Sequence, residues 1–175
     1  MRDRQENDTA GRGQGGSVAP DFDAQLRVAD YVEITKKAEY AVTILLDLAN
    51  QPEECFVTAR DIADRQGIPR TFVPQIISIL SQAGWVEGMR GPGGGVRAAT
   101  KLGDLTVLEI IETVDGPIAI TRCLLDESAI CENRPHCPLH ELWTRAQDAM
   151  LQVLRDTTVS ELVESKKQMM AEIPV

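Results

Sequence analysis

The residues whose types could do chemistry are concentrated in "CLLDESAICENRPHCPLHELW", from Cys123 to Trp143. Three of the chain's four cysteines and both of its histidines fall there, the cysteines and the second histidine in the pattern Cys123-x7-Cys131-x5-Cys137-x2-His140. Thiolate and imidazole are soft ligands that zinc and iron-sulfur clusters both accept, so ligand type alone does not choose between them. Four cysteines could also pair as two disulfides. However, the N-terminus has no apolar block of the kind a secretory signal needs, and in a reducing compartment so tight a cluster reads as metal or cluster ligation. A structural zinc site takes a concrete form here, a slightly shortened Cys3His finger of the RNA-binding kind. Such a finger presents aromatics that stack bases, and none lies between Cys123 and Cys137. The missing aromatics weigh against that finger, so an iron-sulfur cluster is the favoured reading, with a zinc-stabilised RNA-binding or adaptor protein as the alternative. Cys55, alone in "QPEECFVT", reads as an incidental loop or core residue, and His136 as a solvated loop residue. No base and orienting partner accompany the thiols in sequence, which speaks against an enzyme.

Those ligands must be held by helices. Tyr40, Ala41, Ile44, Leu45 and Leu48 recur at three- and four-residue spacing and predict a first amphipathic helix ending near Asn50. Thr58 is a good N-cap for a helix over 59–66, with Ile62 and Ala63 inward and Gly67 as its stop. Ile68 and Pro69 start a further helix whose stripe is Val73, Ile76, Ile77 and Leu80, ended by Gly84. Two short helices joined by a glycine turn are a helix-turn-helix. "WVEGMR" and "GVRAAT" then read as two strands around "GPGGG", a tip that only glycine bends so sharply. "LTVLEIIETV" predicts another helix, closed by "DGP". After the cysteines, one long stripe runs from Leu139 through Leu142, Ala146, Ala149, Met150, Val153 and Leu154 to Leu162. It is too long and isolated to be buried within the chain, and the same helix from a second subunit is its most economical cover.

The expected fold is mostly α with a small β wing: a winged helix-turn-helix domain plus a long C-terminal dimerisation helix. The expected divisions are a flexible N-terminal extension over 1–30, with a short helix near Ala24, the DNA-binding domain over 31–102, a linking helix and turn over 103–122, a cluster-binding loop over 123–140, a dimerisation helix over 139–165 and a tail over 166–175. A net charge of −9 argues against non-specific nucleic-acid binding, but the acidic excess lies after Lys101, where thirteen acidic groups face six basic ones. Before it, residues 31–101 are balanced, so a local basic surface remains available for DNA. No apolar run reaches the ~18 residues of a membrane span. The expected compartment is the cytoplasm.

The order of elements, together with "YAVTILLDLA", "IADRQGIPRTFVPQIISILSQAGWVEGMRGPGGGVR" and the cysteine loop ahead of a long helix, resembles the iron-sulfur winged-helix transcription regulators typified by IscR, NsrR and RirA. The likeness runs from about Val32 to Val163. It implies a homodimer that binds a double-stranded DNA operator, as a repressor by expectation, with an affinity set by a cluster that senses iron, redox state, nitric oxide or cluster supply. It also implies that the glycine hairpin, with Gly93 and Gly94 between Arg90 and Arg97, enters a minor groove and meets the backbone, Arg90 matching a wing arginine that approaches bases. In the major groove, Arg70, Thr71 and Gln75 are the exposed polar residues at the start of the second helix. Where the family often has a glutamate this chain has Pro74, so that base readout does not carry over. For the fourth ligand, His140 stands at the spacing of an IscR-like histidine, which suits a [2Fe-2S] cluster, a [4Fe-4S] cluster being the other form. Glu39 stands where NsrR-like sensors carry an acidic ligand from the opposite subunit.

Overall fold

The computed structural model describes residues 34–99, 102–125 and 136–172. The expectations for the N-terminal extension, the helix near Ala24 and Cys131 lie outside the described residues. Among the described residues, seven helices and one hairpin follow in the order α1 (Lys36–Ala49), α2 (Ala59–Gln66), α3 (Val73–Gln82), β1 (Val86–Met89), β2 (Gly95–Ala98), a 3-10 turn (Leu102–Asp104), α4 (Val107–Asp115), α5 (Arg122–Leu125), α6 (Pro138–Asp156) and α7 (Val159–Ala171).

Helix α1 is the axis of the core. Ala38, Ala41, Ile44, Leu45 and Leu48 are buried along it, and α2, α3, α4 and α7 pack around it. Its N-terminus is capped by Thr35, whose hydroxyl accepts from Ala38 N–H and donates to the Asp115 carboxylate at the end of α4. Ile110, Ile111, Val114 and Val159 share one apolar cluster with Ile62, Val73, Ile76 and Leu80, so the helix-turn-helix and the later helices have a common core.

Local sequence dictates most helix ends. Thr58 caps α2 by accepting from Asp61 N–H, and Gly67 closes it with φ 65°, the left-handed conformation glycine adopts at least cost. The α2–α1 packing is pinned by a charge. Asp47, 4% exposed, accepts from Arg65 Nε at 3.1 Å and Gln66 Nε2 at 2.6 Å, and also from Arg65 Nη2. Removing one partner of a buried pair leaves a desolvated charge. Arg65→Met is expected to cost about 2–4 kcal/mol in urea unfolding, somewhat below a fully buried pair because the arginine is partly solvated and Gln66 remains.

Two elements differ from the sequence expectation. The second helix of the helix-turn-helix begins at Val73 and not at Ile68 or Pro69. Residues 70–72 form a turn instead, with Phe72 N–H donating to Pro69 O at 2.9 Å, while Ile68 N–H turns back to Ala63 O. Pro74 explains the late start. In a helix begun at Pro69 its missing N–H would delete the bond to Arg70 O, whereas in the first turn after Val73 that N–H would have had no partner anyway. No bend is needed.

The single helix expected over 139–165 is two. Thr157 and Thr158 are extended, and Thr158 caps α7 in a reciprocal box with Glu161. The break is paired like a strand: Val107 N–H donates to Thr157 O and Val159 N–H to Leu105 O, both at 2.9 Å. This turns α7 back onto α1, with Val159 in the core, and leaves α6 with no buried residue.

The wing pairs Val86 to Ala98, Glu87 to Arg97, Gly88 to Val96 and Met89 to Gly95. Its tip has the arrangement of a type II turn: Pro92 second, Gly93 third with φ 77°, and Gly94 N–H donating to Gly91 O at 2.9 Å. The base of the wing is bolted to the segment before α2 by a reciprocal Val57–Val96 bridge, both bonds 2.8 Å. Gly95 permits that approach, because a Cβ there would stand 2.5 Å from Val57 O. Gly95→Ala should break both bonds and cost about 2–3 kcal/mol, read as a lowered Tm with the wing's amide exchange accelerated.

Candidate metal centre and nucleic-acid interface

The ligand candidates lie around the start of α6. Cys123 belongs to the short α5, where its sulfur is 3.1 Å from the Thr121 hydroxyl. Cys137 is the N-cap residue of α6, and His140 lies in that helix's first turn, its N–H donating to Cys137 O at 3.1 Å. Both thiols are unpaired and half-buried. The segment ahead of α5 is tied to the middle of α6, Ile120 N–H donating to Gln147 Oε1 at 3.1 Å. Gln147 was not legible as part of this region, since a lone glutamine on a helix carries no spacing signal.

His140 supplies the test of fit. Its Nδ1 is buried and has no hydrogen-bond partner among the described residues. A buried ring nitrogen left unpaired costs about 1–3 kcal/mol, so such atoms normally have a partner, and a metal ion is one that imidazole suits. Two free thiols and one orphaned imidazole nitrogen are donors that fit an iron-sulfur cluster. Among the described residues no three of the types Cys, His, Asp and Glu are gathered as a complete metal site. The third expected thiolate, Cys131, is outside them. Glu39 is exposed in the first turn of α1 and ion-paired with Lys36 Nζ. Cys55 is exposed in the connection between α1 and α2.

On the helix-turn-helix, Arg70, Thr71 and Gln75 are all exposed at the start of α3. Arg70 is engaged within the chain: its Nε and Nη2 donate to Asp64 Oδ1 at 3.0 and 2.8 Å, and Nη2 also reaches Oδ2 at 2.9 Å. Phe72 meets Tyr40 edge to face at 5.9 Å, which fixes the start of α3 against α1. Arg90, Gly93 and Gly94 form the wing's end, Arg90 and Gly93 exposed and Gly94 half-buried. Arg97 is placed differently from a free wing cation. Its guanidinium donates to Glu87 Oε2 from Nε at 3.0 Å and Nη2 at 2.9 Å, and to Glu54 from Nη1 at 3.3 Å, and it lies 5.0 Å from the centre of the Phe56 ring. The strand register explains this, since Glu87 is its cross-strand neighbour. Among the described residues no helix is long and apolar enough to cross a membrane.

Residues 34–165 match the family model described as Rrf2, iron-dependent transcriptional regulator. Among curated relatives, the HTH-type transcriptional regulator IscR of Vibrio atlanticus is 35% identical over 136 residues, covering 78% of each chain. That of Pectobacterium atrosepticum is 36% identical over 136 residues, 78% of this chain and 82% of the relative. Of solved structures, CymR, the global cysteine regulator of B. subtilis, superposes with a TM-score of 0.62 at 29% identity, over 76% of this chain and 97% of that one. T. potens IscR gives 0.63 at 24% identity, over 82% and 93%, and bears on the fold alone. The relatives are transcription regulators and not enzymes, and their fold is the winged helix anticipated from the sequence. The chain belongs to the Rrf2 family of DNA-binding winged-helix transcription regulators.

Proposed function

We propose that the protein is a cytoplasmic, homodimeric repressor whose operator affinity depends on an iron-sulfur cluster held by Cys123, Cys131, Cys137 and His140. The buried Nδ1 of His140, which has no hydrogen-bond partner among the described residues, carries this reading, because it is a donor prepared for a ligand. The IscR-named relatives support it. A cluster with three thiolates and one imidazole, of the [2Fe-2S] type, supplies a redox-active iron centre with one more readily exchanged ligand.

The chain's own residues would convert occupancy into DNA affinity. Cys137 and His140 are on α6, Cys123 is on α5, and Gln147 ties the segment before α5 back to α6. Leu139, Leu142, Ala146, Ala149 and Val153 form an exposed stripe on α6, whereas Gln147, Met150 and Leu154 are half-buried. A second copy covers the exposed stripe. Ligation then fixes how α5 and α6 are set against the winged helix, and hence the separation of the two recognition helices, on which binding to two half-sites depends.

At the DNA, Arg70, Thr71 and Gln75 face the major groove, and Arg90 with Gly93 and Gly94 enters the minor groove. Arg97 stiffens the wing's base. Arg90→Ala and Gln75→Ala are each expected to weaken binding to a palindromic operator by ~1–3 kcal/mol while leaving dimerisation unchanged. Unaltered affinity in both would remove these residues from the recognition surface. The experiment that tests the reading is anaerobic purification, absorption spectroscopy and iron, sulfide and zinc analysis, followed by operator binding before and after chelation. Brown protein with iron and sulfide, whose affinity changes on cluster loss, is expected. Colourless protein with stoichiometric zinc would refute it.

A further inference from the structure

Asp64 takes no part in any motif, yet it is placed where it can govern how Arg70 meets DNA. It lies on α2, the first helix of the helix-turn-helix, and its carboxylate grips the side edge of the Arg70 guanidinium, Nε and Nη2, at 2.8–3.0 Å. Arg60 Nε is also 3.8 Å away, one turn earlier on α2. Both partners are well exposed, so the pair contributes little to folding; its consequence is for what else Arg70 can touch.

We infer that Asp64 is a positioning residue for DNA recognition, holding Arg70 so that it contributes to base readout while being withheld from indiscriminate phosphate contact. The inference rests on the DNA-binding reading. Arginine has five donors in a rigid fork. Nε and Nη2 are given to Asp64, Nη2 meeting both carboxylate oxygens, so Nη1 is the part of the fork left to a base acceptor such as guanine O6 or N7, and it is presented in a fixed orientation. A carboxylate at this distance also cancels much of the attraction between Arg70 and a bare phosphate and repels the backbone itself. Non-specific affinity comes almost wholly from such phosphate contacts, so a restrained arginine raises the ratio of specific to non-specific binding without adding a contact. In a chain of net charge −9, discrimination of this kind costs little basic surface.

The test compares wild type, Asp64→Asn, Arg70→Ala and the double variant, anaerobically and across a salt series. The probes are a duplex selected from a random library by the wild-type protein and a random-sequence duplex of equal length. Asp64→Asn should bind the random duplex more tightly, steepen its salt slope by roughly one unit, and lower the selected-to-random ratio by about tenfold. In the Arg70→Ala background, Asp64→Asn should leave that ratio unchanged. The proposal is overturned by an unaltered ratio in the single variant, or by an equal fall with Arg70 absent, which would make Asp64 a general repulsive charge. Circular dichroism verifies folding of each variant. A wild-type protein that enriches no duplex would instead overturn the DNA-binding reading, and this inference with it.

Discussion

In the proposed homodimer, Leu142→Glu, or Val153→Glu, is expected to dissociate the two copies and abolish tight binding to a full palindrome in the same variant. Leu142 is 50% and Val153 65% exposed, on a helix that buries none of its residues in its own chain. Their neighbours at three- and four-residue spacing, Leu139, Ala146 and Ala149, are exposed too, while the half-buried positions of α6 lie on a different face. An exposed substitution on a monomer would cost only tenths of a kcal/mol. In a two-fold interface each substitution appears twice, and each carboxylate enters a desolvated apolar seam without a partner. The penalty is then roughly 3–5 kcal/mol, or about two to nearly four orders of magnitude in the dimer dissociation constant. Thermal stability of the monomer should be nearly unchanged, since the core is formed around α1 and includes nothing from this stripe. Analytical ultracentrifugation and operator titration read the outcome. A monomeric variant that still binds the full palindrome tightly would show that α6 is not the dimer helix, and a variant that remains dimeric would assign the stripe to another contact.

What was legible in the sequence was what short-range chemistry decides. Thr58 and Gly67 bracket α2 because a cap hydroxyl and a left-handed glycine act within one turn, and the glycine hairpin needs no knowledge of the rest of the chain. The break at Thr157 and Thr158 was not legible from the stripe. Leu139 to Leu162 keeps its periodicity across it, and the break is enforced by pairing with Leu105 and Val107, half a hundred residues earlier. The same holds for Arg97. Beside glycines it reads as a DNA contact, and the pattern does not show that strand register sets it opposite Glu87, with Glu54 and Phe56 beside it. Spacing located the cysteine loop but could not tell which imidazole nitrogen would be left unpaired, because burial of His140 depends on how α6 packs, and the pattern shows only that a histidine starts the helix.

In the proposed cluster site the fourth ligand would decide the kind of sensor, and the two candidates are physically unlike. His140 Nδ1 is buried in the first turn of α6, three residues beyond Cys137, and has no partner among the described residues. Glu39 is exposed and paired with Lys36 on the same helical turn of α1, an arrangement that satisfies it without a metal. A carboxylate could ligate only by giving up that pair and reaching a cluster on another element or another subunit. An imidazole nitrogen already desolvated would gain a partner, where leaving it unpaired costs about 1–3 kcal/mol. His140→Ala is therefore expected to lose the cluster or shift its absorption bands, with operator affinity moving to that of the chelated protein, while Glu39→Ala retains the wild-type spectrum. His140→Cys should restore a cluster with an all-thiolate spectrum if the position is a ligand, a rescue that a merely packed histidine would not give. The reverse pattern, a cluster lost in Glu39→Ala and kept in His140→Ala, would place the fourth ligand on α1 and make the orphaned Nδ1 a cost with no metal to offset it.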